Sequence, residues 1–146
     1  MYSALKEAEL AFEEDEVPIG AVVVYNNKII GKGRNQVQKL NDPTAHAEML
    51  AITAATNYLK SKYLTECDLF ITVEPCLMCS GAILLSRLKN LYFATYEPKL
   101  GACGSVYNVL ENNKYNHPIN IFGGIYAEES KALLQSFFKK KRAIKD

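Results

Sequence analysis

Cys67-Asp68-Leu69-Phe70-Ile71-Thr72-Val73-Glu74-Pro75-Cys76-Leu77-Met78-Cys79 changes character half-way along its length. Apart from Asp68 and Thr72 the first seven residues are apolar, and the run is rich in β-formers and predicts a strand. Glu74-Pro75 stops it, because proline has no N–H to give to a sheet ladder. From Cys76 to about Arg87 the run, which holds three leucines, an isoleucine, an alanine and a methionine, predicts a helix. Cys76 and Cys79 then stand at i and i+3 on one helical face, where both sulfurs can reach a single ion. The N-terminal end of such a helix favours thiolate over thiol. A strand running straight into a helix is the unit of an α/β fold.

The flanks extend this pattern. Residues 2 to 14 place Leu5, Ala8, Leu10, Ala11 and Phe12 near one face of a helix, which Val17-Pro18 ends. Ile19 to Tyr25 is almost wholly apolar, a strand covered on both faces. Asn26-Asn27 suits a tight turn, since asparagine tolerates the left-handed conformation, and Lys28 to Gly33 returns as a second arm. Asn35 to Leu40 reads as loop. Asp42-Pro43-Thr44 supplies a helix start with Asp42 or Thr44 as cap, and the helix runs from about Ala45 to Leu59. Downstream, Leu91 to Ala94 predicts a strand and residues 95 to 118 an irregular stretch, with room for a helical turn around Val106 to Leu110. Ile119 to Phe122 predicts a last strand, and Ala127 to about Arg142 a closing helix. These elements call for a mostly parallel, helix-covered sheet with one hairpin at its start, in a single domain spanning residues 1–146.

Composition narrows the class. At 146 residues, with 49% hydrophobic and 23% charged side chains, the chain has enough apolar material for one sizeable core. No apolar run approaches the length of a membrane-spanning helix. Met1 to Glu16 is acidic and amphipathic, without the basic-then-apolar layout of a signal peptide, so a cytoplasmic protein with no membrane partner is expected. Cys67 and Cys103 stand alone and read as buried, inert thiols rather than a disulfide framework. Net charge is only +1, but it is unevenly spread. One lysine faces six acids in residues 1 to 20, whereas the chain closes on Phe137-Phe138-Lys139-Lys140-Lys141-Arg142. That basic end suits an RNA footprint or, more simply, the solvated face of a terminal helix.

Upstream of the two cysteines lies His46-Ala47-Glu48, at the start of another predicted helix. One histidine, two thiolates and a carboxylate that is not a ligand form a kit for a catalytic zinc ion. Three protein ligands leave a tetrahedral position for water, which the metal acidifies. A closed structural site would need a fourth ligand, and the chain offers only His117 beside Pro118 in a polar loop, or the isolated Cys67 and Cys103. A redox dithiol would leave the His-x-Glu unexplained. His46, Cys76 and Cys79 are therefore expected to hold zinc, and Glu48 to shuttle protons. Lys99 and the terminal Lys/Arg group have two readings, phosphate contacts or solvated charges.

His-x-Glu with Pro-Cys-x-x-Cys is the known signature of zinc-dependent nucleobase deaminases. The chain resembles one branch of them, the bacterial tRNA-specific adenosine deaminases, which make inosine at the anticodon wobble position. The stretches that carry the resemblance are Val17-Pro18-Ile19-Gly20-Ala21, Asn35, Asp42 to Glu48, and Glu74 to Ile83. Others are Ser86-Arg87, Lys99, Gly101 to Ser105, Asn116-His117 and the basic double-Phe ending. The resemblance implies a three-layer α/β/α cytidine-deaminase-like fold around a five-stranded mixed sheet, one zinc per subunit, and a homodimer whose two subunits both touch RNA. It also implies that Asn35 and the backbone near Ala47 read the flipped adenine. Lys99, Asn116, Lys139 and Arg142 fall in matching stretches expected to meet RNA. Glu97 stands where the family usually has an aspartate contacting the neighbouring sugar. The implied reaction is hydrolytic deamination of adenosine in a tRNA anticodon loop, whose unpaired bases need no duplex opening. Two other readings remain at this level: a small-molecule deaminase of guanine or cytidine type, and a non-catalytic zinc-stabilised RNA-binding module. The basic tail and the long loop weigh against the first, the intact Glu48 against the second.

Overall fold

The structure, a computed structural model, describes residues 1–111 and 117–145. In chain order the elements are α1 (Tyr2–Glu13), β1 (Gly20–Tyr25), β2 (Lys28–Arg34), α2 (Val37–Leu40) and α3 (Ala47–Leu59). Then follow β3 (Asp68–Val73), α4 (Leu77–Leu85), β4 (Asn90–Thr95), β5 (Asn120–Gly123) and α5 (Ala127–Lys145). The five strands form one sheet in the order β2-β1-β3-β4-β5.

The hairpin forms as read: Asn26 and Asn27 both take left-handed backbone, with φ of 49° and 61°, and reverse the chain tightly. The sheet is less parallel than the alternation of strands and helices suggested. β1 runs antiparallel to both of its neighbours, β2 and β3, and the parallel neighbour pairs are β3–β4 and β4–β5. Topology explains this. Helix α3 carries the chain from the end of β2 across β1, so β3 lands on the far side of β1 running in the direction of β2. The sheet is five-stranded and mixed, as the resemblance implied.

Ala21, Val23, Leu69, Ile71, Leu91 and Phe93 project from one face of the sheet into a core shared with Ala47, Ala51 and Ala55 of α3 and Ile83 of α4. Each fully buried large side chain here contributes roughly 1.5–3 kcal/mol relative to exposure. Helices α1 and α5 cover the other face, joined by an edge-to-face contact of Phe12 with Phe137. Among the described residues no helix is long and apolar enough to cross a membrane.

Three local expectations change. The stretch from Asn35 to Leu40 is not plain loop but carries α2, whose Gln38 and Lys39 N–H groups donate to the Glu16 carboxylate. Helix α3 starts at Ala47 and is capped by neither Asp42 nor Thr44. Asp42 instead accepts hydrogen bonds from the Thr44 N–H and hydroxyl in a local turn. Residues 106–110 hold an isolated bridge partner, Asn108 paired with Cys103, in place of a helical turn.

Candidate active site

Helices α3 and α4 begin at the same end of the sheet, and each is entered through a residue able to ligate a metal. His46 and Cys76 occupy the position before the first helical turn, with extended backbone (ψ 154° and 176°). Neither side chain makes a capping bond, so both are free to turn inward. Helix α3 can sit so close to β2 only because Gly31 and Gly33 lack side chains. A Cβ on Gly33 would lie 2.2 Å from the Ala47 carbonyl oxygen, and one on Gly31 2.5 Å from that of Ala51. That contact fixes the height of α3, and with it His46 and Glu48.

His46 Nδ1 lies 3.7 Å from Cys76 Sγ and 3.5 Å from Cys79 Sγ, and the three donor atoms lie within 4.8 Å of one another. Zinc–sulfur bonds of about 2.3 Å and zinc–nitrogen bonds of about 2.0–2.1 Å at a tetrahedral angle place nitrogen and sulfur about 3.5 Å apart. The donor set therefore fits a tetrahedral ion bound through one imidazole and two sulfurs. Its electrostatics agree. A hydrogen bond with Cys79, helped by His46, pulls the Cys76 thiol down to about 4. The same bond from the other side, with burial and the nearby Glu48, pushes Cys79 well above the ordinary thiol range. Two adjacent sulfurs cannot both ionise cheaply without a cation between them. His46 is raised by its hydrogen bond to Cys76 and by the charge of Glu48.

Glu48, in the first turn of α3, is buried, and desolvation raises its carboxyl above the ordinary range. A buried carboxyl that is reluctant to stay charged is suited to accept a proton and give it up again. Glu48 lies in the wall of a cleft of about 870 Å³, together with His46, Ala47, Asn35, Glu16 and Lys141. The sequence-predicted site residues thus separate into two groups. Asn35, His46, Ala47 and Glu48 line this cleft, with Cys76 and Cys79 against His46. Glu97, Lys99 and Arg142 line a second groove of about 500 Å³, together with Lys131 and Phe138. Helix α5 runs between the two, sending Phe137 and Lys141 to the cleft and Phe138 and Arg142 to the groove. Lys139 is exposed and lines neither. Asn116 lies outside the described residues. His117, placed at the Leu88 carbonyl, is not among the metal donors.

A family model for MafB19-like deaminases matches residues 1–142. A tRNA-specific adenosine deaminase of Aquifex aeolicus is 48% identical over 95% of this chain and 91% of its own. The chain belongs to the tRNA-specific adenosine deaminase family. In three dimensions it is similar, with a TM-score of 0.85 and 39% identity, to a protein solved in a study of A-to-I editing by tRNA:A34 deaminases at the wobble position of transfer RNA. That match covers 89% of this chain and 94% of the other. A guanine deaminase of Bacillus subtilis is also 39% identical, but over 65% of this chain and 61% of its own, with a TM-score of 0.62.

Two buried carboxylates in this member of the deaminase family were not singled out from the sequence. Glu74, two residues before Cys76, accepts hydrogen bonds from the backbone N–H groups of Glu97 (3.1 Å), Cys103 (3.0 Å) and Ser105 (3.0 Å), and from the Ser105 hydroxyl. Burial would push its carboxyl up, but these donors outweigh it and hold it below the ordinary range. Gly101 packs where a Cβ would meet that carboxyl at 2.4 Å. The signal available in the sequence was an acid ending an apolar strand just before proline. Glu16, the second, was hidden in the run Glu13-Glu14-Asp15-Glu16, where nothing marks one acid as buried.

Proposed function

We propose that this protein hydrolytically deaminates adenosine to inosine at the wobble position of a tRNA anticodon, as a single domain spanning residues 1–146. The observation that carries the reading is the convergence of His46 Nδ1, Cys76 Sγ and Cys79 Sγ beside a buried Glu48 in the wall of an open cleft. His46, Cys76 and Cys79 would hold one zinc ion, whose Lewis acidity makes a water molecule nucleophilic near neutral pH. Glu48 takes a proton from the attacking water and delivers it to N1 of the adenine as the new C6–O bond forms. It then carries a proton to the departing amino group, so adenosine and water become inosine and ammonia. Asn35 and the backbone at Ala47 hold the base in the cleft. Glu97, Lys99 and Arg142 meet the flanking sugar and phosphates in the second groove, with Lys139 and Asn116 as further RNA contacts. Three cations around that groove, Lys99, Lys131 and Arg142, support this part of the reading.

The protein acts as a homodimer in the cytoplasm, where its substrate resides. Leu77 and Leu85 on α4, 55% and 78% exposed, offer an apolar face to a second copy.

The test uses zinc-loaded protein incubated with an anticodon stem-loop and, separately, with free bases and nucleosides. Inosine in the RNA alone supports the proposal. Ammonia from a free base would reassign the protein as a small-molecule deaminase, and no product from any substrate would leave an RNA-binding module. Glu48→Ala is expected to keep one zinc per chain by elemental analysis and to lose deamination. Retained turnover would remove Glu48 from its role.

A further inference from the structure

Glu16 is 1% exposed, lies in the wall of the catalytic cleft, and has no part in the proton transfers. Its Oε2 accepts from the side-chain amide of Asn35 (3.3 Å) and from the Gln38 N–H (3.2 Å), and its Oε1 accepts from the Lys39 N–H (2.7 Å). All three partners are donors, as an ionised carboxylate requires. The turn that carries Glu16 is itself tied down on two sides. Glu14 pairs with Arg34 of β2 at 2.8 Å, and Asp15, in left-handed backbone at φ 63°, pairs with Lys141 of α5 at 2.6 Å. Glu16 is thereby held against the end of β2 and the start of α2, where Asn35, Val37, Gln38 and Lys39 also line the cleft.

We infer that Glu16 is a positioning residue for base recognition: by accepting from the Asn35 side chain it fixes which end of that amide faces the cleft. An amide group is nearly the same shape either way round, so only its partners decide its polarity. A carboxylate cannot donate. Asn35 must therefore turn its NH₂ group toward Glu16, leaving Oδ1 and the second N–H for the substrate. Adenine carries a donor at its exocyclic amine and acceptors at its ring nitrogens, so a wall of fixed polarity distinguishes its edges, whereas a freely flipping amide does not. The same carboxylate holds the first N–H groups of α2 and so sets where that wall stands. This inference rests on the reading that Asn35 binds the target base.

The test is a double-mutant cycle on deamination of the anticodon stem-loop. Glu16→Gln keeps the size of the side chain but turns one of its two acceptor oxygens into a donor, so it can no longer accept from Asn35 and from both α2 N–H groups at once. It is expected to lower kcat/KM about tenfold, mainly through KM, with zinc content unchanged. In an Asn35→Ala background the same substitution should cost less than about twofold, because the residue it acts through is gone. Losses that simply multiply would overturn the inference, since a merely structural role does not depend on Asn35. Should Glu16→Gln not fold, Glu16→Asp replaces it. That variant withdraws an acceptor-only carboxylate by one methylene and should again lose activity only with Asn35 present. Asn35→Ala without effect on kcat/KM would remove Asn35 from the base, and this role with it. That outcome is distinct from a costly Asn35→Ala whose loss multiplies with that of Glu16→Gln.

Discussion

The two helix starts that bring His46 and Cys76 together are built alike and braced differently. Helix α3 is held by backbone against backbone, with Gly31 and Gly33 of β2 pressed to the carbonyls of Ala51 and Ala47. Helix α4 follows a buried carboxylate, Glu74, that gathers N–H groups from a loop more than twenty residues downstream. The first brace is close packing and tolerates no added volume. The second is a polar knot that tolerates volume poorly and loss of an acceptor worse. One fixes His46 and Glu48; the other joins the segment of Cys76 to the loop that carries Glu97 and Lys99. Catalysis needs both halves in place at once, so breaking either should separate chemistry from RNA binding in a different way.

The largest effect is expected at the packed brace. Gly33→Val would put side-chain atoms where the Ala47 carbonyl stands, so α3 must move away or the sheet must bend. The cost should reach or exceed the ~1–3 kcal/mol usual for overpacking. Displacing α3 carries His46 off its partners, so zinc per chain and thermal midpoint should fall together. A variant of normal midpoint that binds a full equivalent of zinc would show that the contact is slack.

At the polar brace the loss should be smaller and should fall elsewhere. Glu74→Gln leaves a single acceptor oxygen for donors that now share two, at about 2–3 kcal/mol. Zinc should stay bound, because Cys76 and Cys79 remain at their helix start. The loss should appear as faster amide exchange in residues 97–105 and a raised KM for the stem-loop. Lost zinc with unchanged exchange in that loop would reverse the assignment of the two braces.

How far the sequence foretold this arrangement follows the range of each interaction. Strand β1, the Asn26-Asn27 turn and the helix at Cys76 were readable because their causes lie within a few residues: apolar runs, left-handed asparagines, a proline stop. That His46, Cys76 and Cys79 would come together was readable because sulfur and imidazole at these spacings have little other use together. The direction of β3 relative to β1 was not readable, since it depends on where a crossover lands. The partners of Glu74 and Glu16 were not readable either. A carboxylate whose donors lie 19 to 31 residues away leaves no mark on its own neighbourhood. The acidic start and basic end of the chain looked like separate features, yet they meet at Asp15 and Lys141.

The cysteines extend the comparison with a smaller effect. Cys67 and Cys103 are buried as expected; burial, with Asp68 and Glu66 nearby, pushes Cys67 up to about 11, and burial pushes Cys103 up to about 12. Their folded values lie above those of the unfolded chain. Their contribution to stability should therefore be complete below the ordinary thiol range, and decline as pH rises through about 11 and 12. At pH 8 a thiol reagent should find neither of them in the folded, zinc-loaded protein. Chelation should release Cys76 as the first to react. Rapid labelling of Cys103 before chelation would mean that the loop held by Glu74 opens on its own.

The smallest effect separates the two grooves on either side of α5. Lys99 lines the outer groove, and no carboxylate lies within ion-pair distance of its Nζ among the described residues, whereas Lys141 is already engaged by Asp15 at 2.6 Å. A phosphate that approaches Lys141 must displace that carboxylate, and exposed pairs of this kind contribute little either way. A phosphate that approaches Lys99 displaces only water and counterions. Lys99→Ala should therefore lower the slope of log K against log salt by about 0.7, the share of one single-strand phosphate contact. Lys141→Ala should change it by clearly less. Stem-loop binding measured by fluorescence anisotropy across a salt series decides between them. If Lys141→Ala gave the larger drop, the RNA path would run along the cleft side of α5, and Asp15 would be the group that RNA displaces on binding.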